Sequence, residues 1–467
     1  MSLRPGSPLF TTPPRGRPPG SPTPEQPVFP EYPAVADRGE LNLTPGRQLR
    51  SRVAGIFLFL PLLARLRFDQ LIAQAGYPGS QMVPAPSALL SLLALKLLDK
   101  ERRSHIDDFN CDEALGLFAG LNILPKKSYA TDYSYRTTRS CQQALLSRWV
   151  TGLAPLLFPD AEEFCLDFHP IPFRGEPEVV ENHYLPLRGK AASSVLSFFA
   201  YEPQSRALCY SNANLTRDDQ AEELMRFVEF WHDLTDHDPQ WLYFDSKVVP
   251  YCELAKLNQR KIWFVTIRRR GAAILRRLHN VPAGAWRRAV IDIPKRRHKN
   301  IRYLDESVKV RDYPERLRQV AVAGLGRDEP TLCLSNNFEV TAREVITRYV
   351  KRNGVEDALG ISVNFFHLDC LASEVRLNVD LDAALTVIAN GCYRWLGSRL
   401  KGFEKSAPKQ VYRRFVETAG TVTIQNDRLI VTFDRRSHNP ILREAALDRD
   451  SPPIPWLGQR KIEFTYC

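Results

Sequence analysis

The sequence predicts a mixed α/β fold: a sheet flanked by helices, with a helical N-terminal domain before it and a basic, β-rich insertion within it. Three observations carry this. From about residue 160 to 270 the apolar runs come as three strands, helix, strand, helix, strand, the order of a meander followed by α/β units. Upstream, apolar side chains recur at helical spacing and strand-like alternation is scarce. The 467 residues are 44% hydrophobic and 25% charged, enough for a sizeable core and two or three domains.

Taken in order, residues 1–43 read as a disordered tail. The first 34 hold eleven prolines and no apolar stretch, so no secretory leader is expected. Residues 44–155 form the helical domain, through Phe57, Leu60, Leu63 and Leu66 and again through Leu89–Leu98. Both Leu-rich runs are short and soon interrupted by Arg or Lys, so they predict buried helices and no membrane span. The Tyr- and Arg-rich stretch Ser128–Arg139 closes this domain. It reads either as a surface that stacks bases and holds phosphates or as an ordinary helix connection.

The core occupies 160–270 and 331–410. Its strands are expected at Phe164–Phe168, Ser194–Tyr201, Ala207–Leu215, Trp241–Phe244 and Ile262–Ile267, and its helices at Glu222–Leu234 and Pro250–Gln259. The insertion, 271–330, carries short β-like pieces at Ala289–Ile293 and Val308–Val310. Leu332–Leu334 resumes the core. Thr341–Arg352 predicts a helix with Thr341 as N-cap and Glu344 completing a capping box. Phe365–Leu371 and Ala383–Leu396 look helical. An extension over 411–467 carries strands at Gly420–Ile424 and Arg428–Phe433 before a Pro-rich end.

The net charge is +11 and favours a polyanionic partner, because phosphates reward Lys and Arg through counterion release. The charge is concentrated: Arg260–Arg318 holds eighteen Lys and Arg against five Asp and Glu, with Arg268, Arg269 and Arg270 in one run. Nine cysteines lie between Cys111 and Cys467 without a C-x-x-C pair or zinc spacing, and read as free, mostly buried thiols of a reducing compartment. The sequence contains no G-x-S-x-G elbow, P-loop or G-x-G-x-x-G, which removes the common signatures of hydrolase, nucleoside-triphosphate and dinucleotide chemistry.

Three carboxylates remain. Asp167 lies inside the first core strand, Asp245 ends the fourth, and Glu356 follows the helix bearing Tyr349 and Arg352. A strand carboxylate is costly to bury unless it is paired or holds a metal. Two of them with a third from a helix suit a hard cation, Mg²⁺ or Mn²⁺. A pair of such ions about 4 Å apart supports phosphodiester chemistry without a protein nucleophile. Singly, each carboxylate also reads as a strand-end cap, an ion-pair partner or a solvated helix charge. His169, two residues beyond Asp167, orients a ligand or simply packs.

At these residues the sequence resembles the prokaryotic insertion-sequence transposases of the acidic-triad (DDE) class. That class carries Y-x2-R-x3-E-x6-K after two strand aspartates. Tyr349, Arg352 and Glu356 match the first three positions, and Val363 stands at the Lys position. Leu166-Asp167-Phe168-His169-Pro170-Ile171-Pro172 resembles the first aspartate motif, and Phe244-Asp245-Ser246-Lys247 the second. The resemblance covers about 160–400. It implies a ribonuclease-H-like core, with Asp167, Asp245 and Glu356 as ligands of Mg²⁺ or Mn²⁺. It also implies that Tyr349 and Arg352 contact the transposon end, with Lys247 and Arg268–Arg270 supplying further positive charge to DNA. On one helix Tyr349, Arg352 and Glu356 share a face. Gly354 falls between them, however, and Gly weakens a helix by roughly 1 kcal/mol. If the helix ends there, Asp357 becomes a rival third ligand.

The reaction this implies is nicking at transposon ends followed by strand transfer into target DNA. The partners are double-stranded DNA, as terminal inverted repeats and target, and a second copy of the chain when two ends are synapsed. The expected location is a prokaryotic cytoplasm, on the nucleoid. Two alternatives stay open: a ribonuclease-H-like endonuclease without strand transfer, and a decayed transposase that only binds DNA.

Overall fold

The computed structural model describes residues 40–467 except 174–179, 186–188, 246–249, 292–298, 326–327 and 371–375. The chain enters through strand β1 (Gln48–Ser51), a 3-10 turn at Ala54–Phe59, and helices α1 (Leu60–Arg65), α2 (Phe68–Gln74) and α3 (Ala85–Leu97). Phe57, Leu60, Leu63 and Leu89–Leu90 are fully buried, so both Leu-rich runs are core. Among the described residues no helix is long and apolar enough to cross a membrane. Helices α4 (Glu113–Phe118), α5 (Lys127–Tyr133) and α6 (Arg139–Leu157) follow, with Thr138 capping α6 by accepting from the Cys141 N–H.

Next come β2 (Glu163–Pro172), β3 (Glu181–Leu185), β4 (Lys190–Glu202), β5 (Ala207–Leu215), α7 (Gln220–Thr235), β6 (Trp241–Phe244), α8 (Tyr251–Gln259) and β7 (Trp263–Ile267). This is the order expected from the sequence, with β3 added. Helix α9 (Ala272–His279) then leads to β8 (Arg287–Val290), β9 (Asn300–Lys309), β10 (Arg316–Ala323) and β11 (Thr331–Ser335). The large sheet runs β3-β4-β2-β6-β7-β11-β10-β9-β8, with β5 also paired to β4. Strands β2, β6 and β7 are parallel, and β4 and β11 flank them antiparallel. The insertion strands are thus an extension of the main sheet through β11. Where β9 meets β10, Arg318 bonds Asp305 at 2.9 and 2.8 Å.

The chain continues as α10 (Ala342–Lys351), α11 (Asn353–Asn364), α12 (Arg376–Arg399), α13 (Pro408–Val411), β12 (Gly420–Ile424), β13 (Arg428–Phe433), α14 (Asn439–Ala445) and β14 (Lys461–Tyr466). The expected capping box of α10 is present: the Glu344 N–H donates to Thr341 at 3.2 Å and the Thr341 N–H to Glu344 at 2.9 Å. Strands β12 and β13 have the expected bounds. Strand β1, inside a segment expected to be helical, pairs antiparallel with β12, and β14 adds parallel to β13. The helical reading of Phe365–Leu371 does not hold: the described part is coil and a 3-10 turn at Leu368–Cys370. Phe365 and Phe366 both pack on Tyr393, and His367 takes a left-handed φ of 55° while its ring meets Asp99 at 2.8 Å. Tertiary packing of the two rings outweighs helical propensity here. Leu371 lies outside the described residues.

Helix α12 lies against β5 and α6, and Asp380 is buried there at 2% exposure. Its Oδ1 accepts from the Ala213 N–H at 3.3 Å. Burial pushes its pKa up to about 6, with the Ala213 N–H and Arg139 pulling the other way. A folded pKa above the ordinary carboxylate value means the folded state holds the proton more tightly, so stability falls as pH rises from about 4 to about 6 and stays lower above that. Asp380→Asn is therefore expected to raise the free energy of unfolding by up to about 3 kcal/mol at pH 7 and to give no gain near pH 3. Urea melts of both proteins across that range check this. A gain of equal size at both pH values would show that the buried charge is not the cause.

Candidate active site

The parallel pairing of β2 with β6 sets Leu166 opposite Phe244. Asp167 and Asp245 are each the next residue, so the two carboxylates stand side by side, with backbones about 4.8 Å apart. Asp167 is partly buried, and the Phe168 N–H donates to its Oδ1 at 2.9 Å. Asp245 lies at the end of β6, where the sheet opens to a cleft.

The third carboxylate arrives from above the sheet. Helices α10 and α11 pack against β2, β4, β6 and β7. A clamp holds α10 down: Arg348 bonds Glu163 at 2.6 Å and the Tyr243 hydroxyl at 3.0 Å, its guanidinium lies 4.2 Å from the Trp241 ring centroid, and Lys351 also bonds Glu163. The helix is interrupted at Arg352, one residue before α11 begins, and not at Gly354. Backbone dihedrals at Arg352 stay right-handed (φ −56°, ψ −31°), so the face continues across the junction. Glu356 therefore remains beneath Arg352, which bonds it at 2.5 Å.

Arg352 is the centre of the arrangement. It is 8% exposed and reaches Asp167 at 3.2 Å, Glu356 at 2.5 Å and the Tyr349 hydroxyl at 3.2 Å. Burial works against its cation, but Tyr349, Asp167 and Glu356 outweigh burial and hold its pKa above the ordinary arginine value. Burial pushes the Asp167 carboxyl up to about 6; Arg352 opposes this, while Glu356 and Asp245 add to it. Burial likewise raises Tyr349 to about 12. Arg352 thus bridges two carboxylates, Asp167 and Glu356, while Asp245 acts on Asp167 from the neighbouring strand end.

Beside them is a cleft of about 680 Å³ lined by Asp245, Glu356, Tyr349, Arg352 and Arg268–Arg270. Arg268 bonds Gln319 at 2.8 Å and Arg270 pairs with Glu329 at 3.1 Å. Asp357 is exposed and is not among the described residues lining the cleft. Lys247 lies outside the described residues. His169 meets Asp369 at 2.7 Å, joining β2 to the 3-10 turn after α11. The clamp on Glu163 was not read from the sequence, although Arg348 and Lys351 on one short helix, with Arg352 at its end, were a visible sign of acidic partners below. The bridging role of Arg352 was half legible, since Arg352 and Glu356 are four residues apart.

An all-carboxylate donor set, two members on adjacent parallel strands, suits a hard divalent cation such as Mg²⁺. Among the described residues no three His, Cys, Asp or Glu side chains approach closely enough to hold a metal ion as they stand. Instead the Arg352 guanidinium lies between two of the carboxylates.

Gly354 fits where only a glycine does. A Cβ there would lie 2.6 Å from Cε1 of Tyr201 on β4. The Tyr201 ring is 6% exposed and has little room to yield. Gly354→Ala is expected to cost about 1–2 kcal/mol, strain of about 1–3 kcal/mol outweighing the gain in helix propensity. Urea titration measures the loss, and pairing it with Tyr201→Ala should make the Ala substitution neutral or favourable. A cost that persists without the Tyr ring would place the strain elsewhere.

Fold and site together describe a mixed α/β protein with a carboxylate and arginine cleft at the ends of parallel strands. No family model matches the chain, and no curated protein matches it. Among solved structures it is similar to a piggyBac transposase in a synaptic complex with hairpin DNA, seen by cryo-EM. The TM-score is 0.43 and the identity 12%, over 79% of this chain and 82% of that one.

Proposed function

We propose that the chain is a divalent-metal-dependent DNA transposase built on a ribonuclease-H-like core. The observation that carries this reading is the β2–β6 register, which sets Asp167 beside Asp245 with Glu356 across Arg352, at the mouth of an arginine-lined cleft. Asp167, Asp245 and Glu356 would hold Mg²⁺ or Mn²⁺. When bound, such ions supply activation of the attacking oxygen and stabilisation of the leaving oxygen in phosphodiester cleavage.

The chain's own residues do the rest. Arg268, Arg269 and Arg270 hold the DNA backbone along the cleft, in a salt-dependent way. Tyr349 and Arg352 position the strand end at the carboxylates. Arg352 also keeps Asp167 and Glu356 from repelling each other before loading. The substrates on this reading are the terminal inverted repeats of an element and a target duplex, with two copies of the chain joining two ends. The setting is the prokaryotic nucleoid.

The test is to incubate the full chain with Mg²⁺ or Mn²⁺ and a labelled duplex carrying the DNA that flanks its gene. Cut ends together with products joined to a second duplex support the reading. Cut ends without joined products would assign an endonuclease instead. Binding without cutting would assign a DNA-binding relic.

A further inference from the structure

Away from the cleft, a cavity of about 220 Å³ lies where the 3-10 turn Arg103–Phe109 meets α3, α5 and α12. We propose that it binds the phosphate group of a nucleotide unit, with the base lying on Tyr135 at its mouth.

The floor of the cavity is built. The Lys96 side chain is 8% exposed, and its ammonium donates to the Phe366 carbonyl and to Asp382, each at 2.6 Å. An ammonium has three protons, and among the described residues the third has no partner. A buried, fixed ammonium with a donor to spare, lining a cavity, is suited to an anion. The walls add Lys100, Arg102 and Arg103. Among the described lining residues two carboxylates, Glu101 and Asp382, stand against these four cations, and Lys100 also pairs with Asp108 at 2.9 Å. Asp382 attracts both Lys96 and Arg103, and burial lowers the pKa of each. Leu92, Leu95 and Leu385 make the remaining wall apolar, which strengthens any charge interaction inside.

Tyr135 supplies the second half of the proposal. The sequence marked Ser128–Arg139 as a stretch able to stack bases, and the structure sorts its tyrosines. Tyr133 is core, with its hydroxyl on the Pro78 carbonyl at 2.9 Å, and Tyr129 stacks on it. Tyr135 is 48% exposed, lines the cavity and lies within electrostatic reach of Arg103. An aromatic face beside a basic cavity is the arrangement that takes a base and its phosphate together. The same chemistry is offered by a free mononucleotide and by a nucleotide within a single strand. Neither depends on the carboxylate cleft.

The experiment uses the full chain without divalent metal, so cutting plays no part. Calorimetric titrations at constant ionic strength use inorganic phosphate, AMP and a short single-stranded oligonucleotide. The variants are Lys100→Ala with Arg102→Ala, both on the rim and clear of the Lys96–Asp382 pair, and Tyr135→Ala. Arg102→Glu alone serves if the double variant does not fold. The rim variants are expected to weaken inorganic phosphate roughly tenfold or more. Tyr135→Ala should leave inorganic phosphate unchanged and weaken AMP and the oligonucleotide roughly tenfold. Equal affinity for AMP and oligonucleotide assigns a free nucleotide, and tighter oligonucleotide binding assigns a strand. The proposal is overturned if wild type shows no saturable phosphate binding, if the rim variants bind phosphate as wild type does, or if Tyr135→Ala leaves AMP binding intact.

Discussion

Asp245→Asn is expected to lower cleavage at DNA ends by about three orders of magnitude while leaving affinity for the same duplex within a factor of about three. The substitution keeps the shape of the side chain and removes one negative charge. Asp245 follows Phe244, which is in register with Leu166, so it neighbours Asp167, with which it is proposed to share a site. Losing that charge should weaken a divalent cation held there far more than it disturbs the sheet. On the proposed reading DNA contact in the cleft comes instead from Arg268, Arg269 and Arg270, which line it and which the substitution leaves in place. Single-turnover cleavage and fluorescence anisotropy on one labelled duplex separate the two effects. If both proteins cut at the same rate, Asp245 is a structural residue and the carboxylate site is wrongly assigned. If the variant loses binding as well, the carboxylate acts on DNA through its surroundings and not through a metal.

Asp382→Ala is expected to cost about 3–5 kcal/mol of stability, a large share of the 5–15 kcal/mol that typically holds a domain together. Asp382 and Lys96 form an ion pair at 2.6 Å with side chains 9% and 8% exposed. Removing the carboxylate leaves the ammonium buried with only the Phe366 carbonyl among its two observed partners. Because the penalty belongs to the stranded charge and not to the lost attraction, Lys96→Met combined with Asp382→Leu should recover the part due to Lys96 and leave the part due to Arg103, which Asp382 also attracts. Chemical denaturation of the two singles and the double closes the cycle. A double variant as unstable as the sum of the singles would show that packing, and not the stranded charge, sets the cost.

Much of this protein could be read along the chain because the readable features are local. The strand–helix order of the core, the capping box of Thr341 and Glu344, and the bounds of β12 and β13 each follow from side chains within a few residues of one another. The three carboxylates could be singled out for the same reason: two end or interrupt apolar strands, and the third follows a helix with Tyr349 and Arg352 at matching spacing. The failures are equally specific. Strand β1 gains its identity only by pairing with β12, which is more than 350 residues away in sequence. Phe365–His367 is non-helical because two phenylalanines pack on Tyr393.

The sequence by itself therefore singled out the residues proposed to carry the chemistry: Asp167, Asp245, Glu356, Tyr349, Arg352 and the arginine run. Only the tertiary structure decided how they meet. The register of two parallel strands sets the aspartates side by side, and no local pattern encodes a register between strands separated by three other strands and a helix. The interruption between α10 and α11 falls at Arg352, and Gly354 is kept small because the Tyr201 ring of β4 packs against it. Arg352 bridges Asp167 and Glu356 because burial leaves it no water to bond, so its charge is satisfied by carboxylates that the fold brings within reach.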